Sequence, residues 1–193
     1  MANVFDVLRR DHEEVQRVLT ELESGTTAVT GANADQLEQR KKLVDKLITE
    51  ESKHEAVEEE YFWPTVRDKL PDGDRLADQA IDQEQKAKYV LNDLLDLDPS
   101  DPKFEELVLK FLADGREHIS FEENQVWPEL QKVLSAEEAE ALGDRLEKAK
   151  AIAPTRPHPR IPPRPGILKA AGPAVAAADR AADKVTGRDK DDD

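Results

Sequence analysis

The chain has 193 residues and a formal net charge of −15; the last 42 residues carry eight Lys or Arg against six Asp, a net +2, which leaves −17 on the preceding 151. A body that acidic repels nucleic-acid phosphates, which argues against DNA or RNA as a partner. With no cysteine, a mean hydropathy of −0.72, no apolar run approaching the ~20 residues of a membrane span and no apolar segment behind a basic start, disulfides, thiolate chemistry, membrane insertion and secretion are all disfavoured, and the expected location is cytoplasmic.

The hydrophobic period is helical throughout. Val4, Leu8, Val15, Leu19 and Leu22 form one stripe behind an N-cap at Asn3, and Ser24-Gly25 closes the first helix near residue 24. A polar loop runs to about 33. The second helix covers residues 34–69, with Leu37, Leu43, Leu47, Val57 and Phe62 facing inward, and Pro71-Asp72-Gly73 turns the chain. The third helix covers residues 74–96 through Ala80, Ala87, Leu91 and Leu94. After a break at 98–102, the fourth spans residues 102–133 with Phe104, Leu107, Phe111 and Leu112 inside. Ser135-x-x-Glu138 is a capping box that opens a short fifth helix ending near 151. Four long helices on short loops predict an all-α, up-down-up-down four-helix bundle, with residues 1–151 as the domain. Residues 152–193 read as an appendage. PTRPHPRIPPRPG is an extended linker, residues 170–185 an alanine-rich frail helix, and the end GRDKDDD solvated, so this tail is expected to be mostly disordered. His158 lies there and receives no role. A proline-rich tail is also a candidate recruiter of a protein partner.

Two stretches share a pattern. HEAVEEEYFWP at 54–64 and HISFEENQVWP at 118–128 match at His54/His118, Glu58/Glu122, Glu59/Glu123, Trp63/Trp127 and Pro64/Pro128. Residues four apart share a helix face, so each histidine and the glutamate after it reach the same centre. His12 sits on the buried stripe of the first helix, with Val15, Leu19 and Leu22 following at +3, +7 and +10. Imposing the same offsets on the third helix, through Ala87, Leu91 and Leu94, selects Glu84; Gln83 is one position off that stripe and is the alternative. The candidate metal set is His12, His54, Glu58, Glu84, His118 and Glu122. Buried carboxylates repel one another, and a cation cancels that cost. Mixed imidazole and carboxylate donors suit iron, manganese or zinc, and the lack of thiolate argues against structural zinc. Surface or capping histidines on a purely structural bundle are the rival reading. Tyr61, three residues after Glu58, is either a neighbour of bound oxygen species or a core tyrosine. Each Trp-Pro pair is expected to kink its helix at the proline.

The series His, His-x-x-x-Glu, His-x-x-x-Glu on successive helices resembles the hemerythrin-like (HHE cation-binding) family over roughly residues 3–133. The resemblance implies two non-haem iron ions, bridged by oxo or hydroxo, that react with small oxygen or nitrogen oxide species: O2, H2O2 or NO. Oxygen-carrying members have a His-x-x-x-His pair on the third helix, where this chain reads IDQEQKAKYVL, and His-x-x-x-x-Asp on the fourth, where it has His118-x-x-x-Glu122. The chain is thus similar to a histidine-poor, carboxylate-rich branch. Such a donor set favours ferric iron over reversible O2 carriage. It implies an oxidative-stress role with catalase-like H2O2 decomposition, or else an iron or oxidant sensor without turnover.

Overall fold

The structure is a computed structural model and describes residues 2–188; the acidic end at 189–193 lies outside the described residues. The described residues are helical, with no strand among them. The elements are α1 (Val4–Ser24), α2 (Ala34–Val57), a π-helical turn at Glu58–Phe62, α3 (Trp63–Lys69), α4 (Gly73–Leu95), α5 (Pro102–Phe121), a second π turn at Glu122–Val126, α6 (Trp127–Gln131), α7 (Ala136–Lys150) and α8 (Ile167–Thr186). Capping boxes start three of them: Asn3 with Asp6, Asn33 with Gln36, and Ser135 with Glu138. Helix α1 packs against α2 and α5, α4 packs against the same two, and α7 closes one end against α1 and α2.

The two π turns are where the long second and fourth helices depart from the expected regular α-helix. Each immediately precedes a Trp-Pro pair, and the Trp63 and Trp127 amides reach back five residues to the Glu58 and Glu122 carbonyls. A proline inside an α-helix removes a donor and collides with the carbonyl four residues earlier. Widening the preceding turn relieves that collision without breaking the rod.

Apolar residues form two separate layers. One gathers Val4, Leu8, Phe62, Trp63, Trp127 and Leu146; the other gathers Leu19, Ile48, Leu91, Phe104 and Phe111. Helices α1, α2, α4 and α5 each pass from one layer to the other, and each carries polar residues at the crossing. At the start of α2 the inner register differs from the expected one. Leu37 and Leu43 are only half-buried, while Arg40, Val44 and Ile48 point inward. The reason is an ion pair: the Arg40 guanidinium makes two hydrogen bonds to Glu105, at 2.5 and 2.6 Å, and a third to the Leu22 carbonyl at 2.7 Å. Gly73 at the head of α4 meets α3 so closely that a Cβ there would lie 2.2 Å from the Val66 carbonyl oxygen.

The expectation of a mostly disordered tail is overturned for residues 152–188. They fold back over α2 and α4, because polar anchors distant in sequence hold them. Buried Glu60 accepts hydrogen bonds from the amides of Gly166 (2.7 Å) and Leu168 (3.2 Å) and so caps α8 from another helix. Buried Asp179 takes the Thr155 and Arg156 amides and pairs with His158. Asp183 takes the Thr155 hydroxyl and Arg156, and Arg188 ties it to Asp45 and Thr49 of α2.

Arg40→Met leaves Glu105 buried without its cation and is expected to cost about 3–5 kcal/mol in chemical denaturation, most of it recovered when Glu105→Leu is added.

Candidate metal centre

Between the two apolar layers, α1, α2, α4, α5 and the π turns converge on one polar cluster. All six residues selected from the sequence are buried there: His12, His54, Glu58, Glu84, His118 and Glu122. They fall into two overlapping groups whose ligand-type atoms lie within 4.8 Å of one another. His12, His54 and Glu122 make one; Glu58, Glu84, His118 and Glu122 make the other. Glu122 belongs to both, a position suited to bridging two ions. The Nε2 atoms sit close to carboxylates: His12 to Glu122 at 3.1 Å, His54 to Glu58 at 3.1 Å and His118 to Glu122 at 3.2 Å.

Proximity here is not hydrogen bonding. His12 Nε2, His118 Nε2, Glu84 Oε2 and both carboxylate oxygens of Glu58 and of Glu122 are buried with no hydrogen-bond partner. Buried polar groups are otherwise almost always satisfied. Seven such atoms converging on one spot are donors that fit a cation pair, and a set of three imidazoles and three carboxylates suits iron or manganese.

The electrostatics carry the same imprint. Burial drives Glu58 and Glu84 above the usual carboxylate range, Glu58 reinforced by Glu122 and Glu84 by Glu58. Glu122 goes the other way: burial opposes its charge too, but the imidazoles of His118 and His12 on either side outweigh it. Burial pulls His118 down, yet Glu122 and Glu84 lift it to about 9.

Each imidazole is oriented from behind through Nδ1. His12 meets Glu123 at 3.0 Å, His54 meets Asp11 at 3.4 Å and His118 meets the Gln83 side-chain oxygen at 3.1 Å. A partner on Nδ1 fixes the tautomer that aims the Nε2 lone pair at the cluster. Lys150 of α7 pairs with Asp11, so α7 also steadies His54. Trp63 donates its indole N–H to Glu84; its repeat mate Trp127 instead stacks on His12, centroids 4.9 Å apart and planes 14° apart.

Asp11, and the role of Gln83 behind an imidazole, escaped sequence reasoning, although a signal exists. Each is the chain neighbour of a cluster residue and serves a histidine on a different helix. Buried Glu51 and Glu55 were also missed. They line a cavity of about 20 Å³ beside His12, His54, Glu84 and His118, room for one water-sized molecule. Tyr61 is not part of the cluster. The widened turn rotates it away from the Glu58 face, and it lies half-buried under Lys169, 4.7 Å from its ring centroid.

A family model described as the Hemerythrin HHE cation binding domain matches residues 3–130. A DNA nickase of Nostoc sp. is 24% identical over 149 residues, 77% of this chain but 39% of that protein, so the chain spans well under half of this relative. An uncharacterised hemerythrin-like protein of Schizosaccharomyces pombe is 23% identical over 184 residues, covering 95% of this chain and 86% of its own length. That alignment is too long to stop at residue 133 and takes in part of the C-terminal segment. A crystal structure of an HHE cation binding domain-containing protein from Mycobacterium kansasii superposes with a TM-score of 0.62 at 21% identity, covering 78% of this chain and 86% of that one.

If the unpaired carboxylates are a liability without a cation, Glu58→Gln is expected to stabilise the chelator-treated protein by about 1–3 kcal/mol. The same change is expected to lower the gain in melting temperature on adding metal, read from paired thermal melts with and without chelator.

Proposed function

Because the chain belongs to the hemerythrin HHE cation-binding family, we propose that its four long helical rods form an up-down-up-down bundle around two non-haem iron ions that react with H2O2, O2 or NO in defence against oxidants. The observation that carries this reading is the set of buried, unpartnered donor atoms on His12, Glu58, Glu84, His118 and Glu122. His12 and His54 would hold one ion and Glu58, Glu84 and His118 the other, with Glu122 at the shared position. Bound there, a pair of irons supplies one-electron steps to a small oxidant; manganese fits the same donors.

The protein's own part is to bind, orient and exclude. Glu123, Asp11 and Gln83 hold the imidazoles in one tautomer. The apolar layers above and below keep bulk water out. The 20 Å³ cavity bounds the reactant at the size of water or peroxide. Glu51 and Glu55, both pushed upward first by burial, line that cavity and put two further carboxyl groups beside an entering oxygen species. Reversible O2 carriage is disfavoured, since α4 supplies Glu84 and no histidine where the oxygen carriers have a His-x-x-x-His pair. An activity on DNA like that named for the Nostoc relative is disfavoured: the chain spans 39% of that protein and its body is strongly acidic.

Turnover distinguishes a catalase-like enzyme from a sensor. With H2O2 in excess, an oxygen electrode is expected to record many O2 released per iron-loaded chain. His54→Ala with His118→Ala is expected to abolish both iron binding and O2 release. A single stoichiometric burst would favour the iron or oxidant sensor, and unaltered iron content in the double variant would remove the site.

A further inference from the structure

The centre needs a way in, and the walls of its cavity indicate where. Gln83 and Asp114 line the 20 Å³ cavity, and the same two residues line a groove of about 300 Å³ on the surface formed by α4 and α5. The chamber of about 60 Å³ beneath the C-terminal segment shares no lining residue with the metal cavity. On that side Lys88 stands in the way, ion-paired to both Glu59 and Glu55. Exposure tells the same story. Of the six cluster residues His118 is the most exposed, at 9%, whereas the others are at 3% or less. His118 is the one backed by Gln83.

Gln83 differs from its counterparts. His12 and His54 are backed by carboxylates, and Asp11 is further fixed by Lys150. Gln83 is a neutral amide on a flexible stem, half-buried at the groove floor, held by its hydrogen bond to His118 at 3.1 Å. Turning that amide aside breaks one hydrogen bond and removes one of the two side chains, with Asp114, that wall the groove from the cavity.

We propose that the α4–α5 groove is the entry port of the metal cavity and that Gln83 is its gate, admitting small uncharged molecules of the size of water, O2 or H2O2. The groove's lysines are neutralised, Lys86 by Asp82 and Lys110 by Asp114, so its mouth offers no positive patch to gather anions. As a positioning residue for His118, Gln83 links passage to the centre: the side chain that moves to admit a molecule is the one that orients an imidazole. The proposal rests on the di-iron reading for what enters, but the port itself is testable without iron.

Trp63 and Trp127 are the chain's two tryptophans, one bonded to Glu84 and the other stacked on His12. Quenching of their fluorescence by dissolved O2 in the metal-free full-length protein therefore reports access to the cluster. Gln83→Ala is expected to raise the quenching constant severalfold. Gln79→Phe, at the exposed groove mouth, is expected to lower it. In Fe(II)-loaded protein the same two variants are expected to speed and slow the oxidation of the bound iron by H2O2. Arg188→Ala, which loosens the C-terminal cover, is expected to leave both readouts unchanged. If Gln79→Phe alters neither readout while Gln83→Ala still speeds iron oxidation, Gln83 merely holds His118 and the port is overturned. A rise in quenching with Arg188→Ala equal to that of Gln83→Ala would place the entry under the C-terminal segment and also overturn it. Failure of the wild type to take up iron would remove the di-iron reading alone, since quenching still decides the port.

Discussion

Three glutamates buried at one level of an apolar helical body repel each other, and much of the surrounding structure answers to that repulsion. Glu58, Glu84 and Glu122 each have at least one oxygen without a partner, and the imidazoles beside them cannot both carry a proton on Nε2 and offer a lone pair there. Leaving such groups uncompensated costs several kcal/mol in a body whose whole stability is about 5–15 kcal/mol. The two apolar layers supply the stability that tolerates this polar belt, and they also seal it from solvent.

The placement of the belt follows from local chemistry. Pro64 and Pro128 widen the turns before them, and the widened turns begin at Glu58 and Glu122. The duplicated sequence motif is therefore a duplicated backbone device. A His-x-x-x-Glu pair ends on a π turn, and a Trp-Pro step then resumes the helix beneath it. The two copies are not equivalent in use. Trp63 spends its N–H on Glu84, while Trp127 offers a ring face to His12, as the opposing helices α4 and α1 present a carboxylate in one case and an imidazole in the other.

Much of this was legible in the chain. Asn3 and Ser135 mark helix starts because capping is local, and the +3, +7, +10 spacing placed Glu84 inside because helix periodicity is local too. What escaped depends on contacts between distant segments. The π turns need a hydrogen bond reaching one residue further than the pattern assumes, and that single step moved Tyr61 off the site. Leu37 and Leu43 lost the inner face of α2 to Arg40, whose partner Glu105 lies 65 residues away. The C-terminal segment looks disordered by composition, yet Glu60, Asp179 and Asp183 supply anchors that no window of sequence displays. Gln83 was weighed only as a substitute for Glu84, whereas the two face the site together, one at the cluster and one behind His118.

The central claim is that the belt is built for a pair of cations. An anaerobic Fe(II) titration of chelator-treated, untagged protein, with bound metal and melting temperature followed together, tests it most directly. The expected result is saturable uptake that breaks at two equivalents per chain, with the melting temperature rising over the same range. Absence of saturable uptake, together with a melting temperature indifferent to Fe(II), would contradict the claim and make the belt a packing device.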